Sequence, residues 1–365
     1  VVNDMNIIWF SGRKMADLCS TTQKSLGSGL VKRGHNLIFV NPDTPGSHTN
    51  YPWTHQSIIA SQIPGMKSIT LASNMNKWFC QNLPKENTVV ILDWRIAKQL
   101  TKTLQKHKIP WILMDRSPPA DSNILAKLQW RYWKKAWKSV QVYQKIGCVV
   151  SQAHREFTTR NVGLSPTLAV PIPAGVDINQ FENGQKSSPV KLCYHGKLDS
   201  NRGLMQLLSI HSKLADIGVD VELYLHGNGD LTSKLATLKD GKIHVTETLK
   251  SDDLVRCLSS YDVGFLPMPD KRIWRLASPL KRGEYLASGM IVLGINHTGH
   301  QIDNSGNWLQ LFDENKFVES SVDFIRNLDL ERLRQSQINA REYAEANLDW
   351  SHSVTILEDI LSKQY

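Results

Sequence analysis

The sequence predicts an α/β protein of two doubly wound domains facing one another across a cleft, with a final helix returning to the first. Three observations carry this. Short apolar runs of strand length alternate with helical patterns in both halves, which implies parallel sheets covered by helices on both faces. At 365 residues the chain exceeds one ordinary core and suits two domains of ~150–180 residues. Between the halves, VPIPAGVDINQFENGQKSSP (170–189) is dense in Pro, Gly, Asn and Ser and has no periodicity, as a linker would.

Taken in order, Met5–Phe10 reads as a strand, Thr22–Lys32 as a helix closed by Gly34, and Asn36–Val40 as a strand. Val89–Asp93, Trp111–Asp115 and Cys148–Ser151 follow as strands, with helices at Arg95–Lys106 and Ile124–Gln144. The stretch 44–80 is the least readable of the chain. In the second half, strands are expected at Lys191–His195, Val221–His226, Ile243–Thr246, Val263–Leu266 and Ile291–Gly294. Helices are expected at Leu204–Asp216, Leu231–Lys239, Ser251–Ser259 and Leu280–Ala287. A helical pattern runs from about Leu330 to Leu361, interrupted near Asn347–Trp350. It is longer than the second domain needs. The expected division is therefore 1–172, a linker at 173–189, 190–340, and a segment 341–365 packing back on the first domain.

Composition narrows the class. Hydrophobic residues make up 41% of the chain without a low-complexity tract, as in a globular protein. The longest apolar runs, Ile7–Phe10 and Val89–Leu92, are strand-sized, far from the ~18–20 residues of a membrane span. VVNDMNIIWF lacks the basic-then-apolar order of a signal peptide. The five cysteines (Cys19, Cys80, Cys148, Cys193, Cys257) are odd in number, widely spaced and without metal-ligand spacing, so reduced thiols in a cytoplasmic protein are expected. A net charge of +9 points to an acidic partner: nucleotide, nucleic acid or anionic membrane. No nucleic-acid-binding signature accompanies it, so a nucleic-acid role rests on charge alone.

Two stretches carry the chemistry. CYHGKLDSNRGL (193–204) is an apolar strand ending at His195-Gly196, followed by Lys197, Arg202 and Gly203. ASPLKRGEYLASG (277–289) is a Ser-Pro helix start bearing Glu284 and stopped by Gly289. Two cations around a glycine turn at the carboxyl end of a strand suit a diphosphate. A helix N-terminus suits the same anion through its free N–H groups and dipole. A carboxylate further along that helix is placed to accept hydrogen bonds from sugar hydroxyls. Together they describe a site for a nucleotide attached through a diphosphate. The bland alternative, two solvated surface cations, leaves the flanking glycines unexplained.

These pieces and their order resemble the GT-B glycosyltransferases, and within them the retaining glycosyltransferase family 4. VVSQAHREFTTRNVG followed by VPIPAGVDINQF resembles the family's last N-domain strand and helix and its interdomain signature. Gly196-Lys197-Leu198-x-x-x-Arg202-Gly203 resembles its G-[RK]-L-x-x-x-[KR]-G motif, and LYLHGNGD (223–230) its strand followed by G-x-G. YDVGFLPMP, SPLKRGEYLASGMIVLG and NLDWSHSVTILEDIL resemble its later segments.

The resemblance implies two Rossmann-like domains and a hexosyltransferase-type enzyme that moves a sugar, with retention, from a nucleotide-diphosphate donor to an acceptor hydroxyl. Lys197 and Arg202 would contact the diphosphate and stabilise the leaving phosphate. Glu284 would hold the ribose, and Ser278, Pro279, Leu280 and Lys281 would bring the helix N-terminus to the phosphates. Gly196, Gly227 and Gly229 would line the nucleotide pocket. No cofactor or metal is implied. The family often carries an acid eight residues before the ribose-binding Glu; here Leu276 stands there, with Asp270 as a nearby substitute.

Other residues keep two readings. Gly12, after the first strand, either lets the backbone approach donor or acceptor or simply makes a tight turn. Asp115, beside Arg116 at a strand end, either serves the sugar or acceptor in the cleft or caps the next segment. Asp93 and His154 raise the same alternatives more weakly, and His35 reads as structural. In KLQWRYWKKAWKSV (127–140), Trp130, Trp133 and Trp137 form one helical stripe, with Lys127, Arg131, Lys134 and Lys138 beside it. That is the pattern of a helix docked on anionic lipid, or of core tryptophans beside solvated lysines. The acceptor is expected to be a glycan, a lipid or a lipid-linked molecule. The competing readings are a non-catalytic relative that binds nucleotide or protein, and a sugar-nucleotide epimerase of the same fold.

Overall fold

The computed structural model describes residues 4–16, 20–61, 63, 66–84, 86–119, 124–182, 189–238 and 240–364. The chain divides into two compact units, Val1–Pro173 with Trp350–Tyr365, and Ala174–Asp349.

Unit 1 holds seven strands: β1 (Asn6–Phe10), β2 (Asn36–Asn41), β3 (Thr54–Ser57), β4 (Thr88–Asp93), β5 (Trp111–Met114), β6 (Gly147–Val149) and β7 (Ala169–Pro171). They pair in the order β3-β2-β1-β4-β5-β6-β7, all parallel. β4 is buried along its whole length, as continuous apolar runs in a two-faced parallel sheet must be. β3 and the helix Lys67–Gln81 fall within the stretch that the sequence leaves unread.

The helix Trp350–Ser362 belongs to this unit and packs on the helix Ser20–Lys32. The approach is close: a Cβ on Gly29 would lie 2.3 Å from Val354 Cγ2. At its edge Glu358 pairs with Arg33 at 2.5 Å and with His35 Nε2 at 2.8 Å. His35 Nδ1 accepts from the Met5 N–H at 3.2 Å, so Nε2 carries the proton toward Glu358. Burial opposes the Glu358 charge, but Arg33 and His35 outweigh it and hold the carboxyl below its usual value. Gly29→Val is expected to lower stability by about 1–3 kcal/mol through overpacking. Urea unfolding of wild type and variant measures it, and equal midpoints would contradict this packing.

Unit 2 holds β8 (Val190–His195), β9 (Val221–His226), β10 (Ile243–Thr246), β11 (Val263–Leu266), β12 (Ile291–Ile295) and β13 (Leu309–Phe312). These form a second parallel sheet, in the order β10-β9-β8-β11-β12-β13. Its limits differ from the segments read in the sequence for packing reasons. Val176, Ile178 and Phe181 lie in the unit 2 core, although 173–189 has a linker's composition. Residues 183–188 of that stretch lie outside the described residues. Ala340 and Ala344 are buried in the same core, and Arg341 donates to the carbonyls of Phe181 (2.6 Å) and Ala287 (2.5 Å). Residues 341–349 thus stay with unit 2, and the returning segment begins at Trp350.

The tryptophan stripe is core. Trp133 and Trp137 are wholly buried, so they cannot enter lipid, and the exposed face of the helix Ile124–Val142 presents Lys127, Arg131, Lys134 and Lys138. Among the described residues no helix is long and apolar enough to cross a membrane. Cys80, Cys148 and Cys257 are free thiols, Cys193 is buried in β8, and Cys19 lies outside the described residues.

Candidate active site

In unit 2, β8 and β11 are neighbours at the point where the strand order reverses. Beyond the carboxyl ends of such a pair lies the crevice in which open α/β sheets take ligands. β8 ends at His195 and releases the loop 196–203. β9 ends at His226 and releases 227–230. β11 leads through 267–277 to the helix Leu280–Ala287.

The glycines of these loops are dictated by geometry. Gly196, Gly203 and Gly227 have φ of +115°, +75° and +152°, where a side chain is strained. A Cβ on Gly227 would stand 1.7 Å from the Gly196 carbonyl oxygen, and one on Gly229 2.3 Å from the Leu198 carbonyl carbon. A Cβ on Gly203 would meet the Pro267 oxygen at 2.1 Å. Hydrogen bonds complete the interlock: Leu198 N–H donates to Asn228 O at 3.1 Å, Leu231 N–H to Leu198 O at 3.0 Å, and Ser200 N–H to Asp230 at 2.7 Å.

On this platform the cations are placed unequally. Lys197 is exposed, while Arg202 is partly buried with its guanidinium 4.8 Å over the Trp274 ring and its Nε 3.5 Å from Asp199. Lys281 reaches the turn from the helix: its Nζ sits 2.7 Å from where a Cβ on Gly196 would be, and 5.4 Å over the Tyr194 ring. Its area is only partly covered, but the surrounding packing is dense. Burial, with Arg202 adding to it, brings the ammonium down to about 8.

Glu284 lies three residues further on, on the same helical face. Its Oε2 is 3.1 Å from His195 Nε2. Burial works against its charge, yet His195 and Lys281 hold the carboxyl below its ordinary value. It is therefore a carboxylate, ready to accept from hydroxyls. The helix opens at Pro279 with no side-chain cap on its first N–H groups, and Ser278 Oγ instead accepts from the Ala174 N–H at 3.1 Å. Arg282 anchors the helix from behind by donating to the carbonyls of Gly299, His300 and Gln301 at 3.2, 3.0 and 2.9 Å.

Gly196, Lys197, Arg202, Gly227, Gly229, Ser278, Pro279, Leu280, Lys281 and Glu284 thus all belong to the carboxyl-end loops and the helix start of one sheet. Asp115 and Gly12 belong to unit 1. Asp115 is wholly buried, accepting from Trp133 Nε1 at 2.5 Å and Trp137 Nε1 at 2.9 Å with His154 Nε2 3.3 Å away. It is enclosed by core tryptophans and has no route to a substrate, so the catalytic reading is corrected to a structural one. His154 is buried with it, its backbone N–H capped by Ser151 Oγ. Leu276 is buried, and Asp270 is engaged by Arg275 on both carboxylate oxygens. The sequence reading gives His195 only as a strand end, and gives no role to Trp274 or to the Lys281 side chain. The Lys281–Glu284 spacing is the signal that could have found the last. Among the described residues no cluster of His, Cys, Asp or Glu suits a metal ion.

No family model and no curated protein matches the chain. Solved structures do match over nearly its whole length. A glycosyltransferase from Rickettsia africae is 14% identical with TM-score 0.78, covering 99% of both chains. Sucrose-phosphate synthase from Thermosynechococcus elongatus is 15% identical with TM-score 0.75, covering 98% of both. Anabaena HepE in complex with UDP and glucose is 12% identical with TM-score 0.73, covering 98% of this chain and 100% of the other. The chain has the GT-B fold.

Proposed function

We propose that the protein is a glycosyltransferase that binds a nucleotide-diphosphate sugar in unit 2 and transfers the sugar, with retention, to an acceptor hydroxyl. The observation that carries this is the Lys281 ammonium seated against the Gly196 turn, with Arg202 on the same loop, and an uncapped N-terminus and an ionised Glu284 on the helix that bears Lys281. The cations and the helix dipole would hold the diphosphate, and Glu284 the ribose hydroxyls. In the transfer, the bond between the anomeric carbon and the phosphate oxygen breaks. The acceptor oxygen bonds to that carbon from the same face, and its proton passes to the departing phosphate. Lys197, Arg202 and Lys281 would stabilise the negative charge that develops on the leaving group. The resemblance to family 4 and the hexosyl class of the transferred sugar belong to this proposal.

A thermal-shift titration with UDP, GDP, ADP and CDP tests it. One nucleotide at a hundredfold excess over its Kd is expected to raise the unfolding temperature by roughly 5–10 °C, and Lys197→Ala should remove most of the shift. Silence with all four would favour the non-catalytic reading. A pH dependence follows as well. The anion prefers the charged ammonium, so affinity should fall as pH rises through about 8, where Lys281 loses its proton in the free protein. Calorimetric titration between neutral and alkaline pH reads this, and Lys281→Met should flatten the profile.

A further inference from the structure

β8 ends on His195, a residue only 8% exposed. Its ring is fixed from several sides. The backbone N–H donates to the Tyr285 hydroxyl at 3.3 Å, and the imidazole stands edge-on to the Tyr285 ring, with centroids 5.2 Å apart and planes at 88°. Tyr285 is itself held, wholly buried against Gly264, where a Cβ would come within 2.5 Å of its ring. His226 is the partner of His195 in the register of β8 and β9. Both nitrogens of the His226 ring are engaged, with Thr246 Oγ1 and the Tyr261 hydroxyl at 2.7 Å each, so that ring has nothing left to offer His195.

The polar end of the His195 ring meets Glu284. Nε2 lies 3.1 Å from Glu284 Oε2, and neither atom has another hydrogen-bond partner among the described residues. An ionised carboxylate only accepts, so the proton belongs on Nε2. Oε2 is shut off from solvent while the Glu284 side chain as a whole is 21% exposed, so Oε1 is the oxygen left for a ligand. Lys281 stands three residues before Glu284 on the same helix, a spacing at which an ammonium and a carboxylate pair. Here the two are turned apart. The ammonium reaches the Gly196 turn and the Tyr194 ring, and the carboxylate faces His195.

We propose that His195 is a positioning residue: through its Nε2–H it holds Glu284 with Oε1 toward the ribose hydroxyls and keeps the carboxylate from closing on Lys281. The ammonium then stays available to the diphosphate. A hydrogen bond to an ionised carboxylate is strong and directional. A carboxylate held in its binding geometry before the ligand arrives has less ordering to undergo when it binds. The inference rests on the nucleotide-diphosphate reading of unit 2. It adds to that reading the residue that decides how sharply a ribose is told from a deoxyribose.

The test is calorimetric titration of the full chain with whichever of UDP, GDP, ADP and CDP stabilises it most, and with the 2′-deoxy and 3′-deoxy forms of that nucleotide. Wild type is expected to favour the ribonucleotide roughly tenfold to a hundredfold over at least one deoxy form, the worth of one hydrogen bond to a charged group. His195→Phe keeps a ring against Tyr285 but has no N–H, and should bring that ratio down to about threefold or less. His195→Gln carries an N–H near the place of Nε2 and should restore most of it. In a Glu284→Ala background, His195→Phe should change the ratio no further, because its effect passes through Glu284. A ratio untouched by His195→Phe, lost equally in His195→Gln, or falling further in the double variant would each overturn the assignment. His195→Ala takes the place of the Phe variant should that one not fold. If no nucleotide binds, or wild type ignores the missing hydroxyl, the reading of unit 2 fails and the assignment with it. Nucleotide bound with its preference intact in His195→Phe defeats the assignment alone.

Discussion

Lys197→Ala and Arg202→Ala are each expected to lower kcat for sugar transfer by roughly two to three powers of ten, ~2–4 kcal/mol in the barrier. The physical basis is the loss of one preorganised positive charge beside a phosphate that becomes more negative as the glycosidic bond breaks. The two positions differ in how the charge is held. Arg202 is fixed between the Trp274 face and Asp199, so Arg202→Lys should recover little of the loss, because an ammonium cannot reproduce a stacked planar fork. Lys197 is exposed, and Lys197→Arg should recover more. Steady-state kinetics with the donor identified by thermal shift measures all of these. Full turnover in Lys197→Ala would remove the electrostatic account.

Asp115→Ala is expected to cost about 2–6 kcal/mol of stability, because two buried indole N–H groups are left without an acceptor at about 1–3 kcal/mol each. Both indole N–H groups would lose their acceptor together, and the buried His154 ring would lose the carboxylate 3.3 Å from its Nε2. Asp115→Asn keeps an oxygen for the tryptophans and should cost less. Urea unfolding followed by tryptophan fluorescence suits the case, since the affected residues are themselves the probes. A change within about 0.5 kcal/mol would return Asp115 to the list of candidates for chemistry.

The contrast between these two sites shows what a sequence can disclose. Gly196, Gly203 and Gly227 were legible because backbone strain admits few other residues, and their spacing locates the loops that must carry them. Strand positions followed from apolar runs such as Val89–Asp93, which falls in the fully buried β4, whereas the order of the strands in the sheet was not read from the sequence. Asp115 was not legible. A carboxylate at a strand end looks the same whether it faces solvent or the tryptophans of a helix that comes later in the chain. The tryptophan stripe at 130–137 has helical spacing either way, and only packing distinguishes core from lipid. β3, with the sequence Thr-His-Gln-Ser, is a partly exposed edge strand with no apolar alternation to announce it. The Lys281 ammonium escaped because its position depends on Gly196, far away in the sequence.

The helix Trp350–Ser362 has a consequence for the order in which the molecule is made. Arg33 and Ser351, joined by a hydrogen bond at 3.0 Å, are 318 residues apart. At ribosomal rates of ~5–20 residues per second, roughly 15–60 s separate their synthesis. Through that interval the helix Ser20–Lys32 waits with Gly29 uncovered, while every residue of the second unit emerges. The unit begun first is therefore finished last. A nascent chain stalled before Trp350 should be clipped by protease in its first half, while the segment behind it resists.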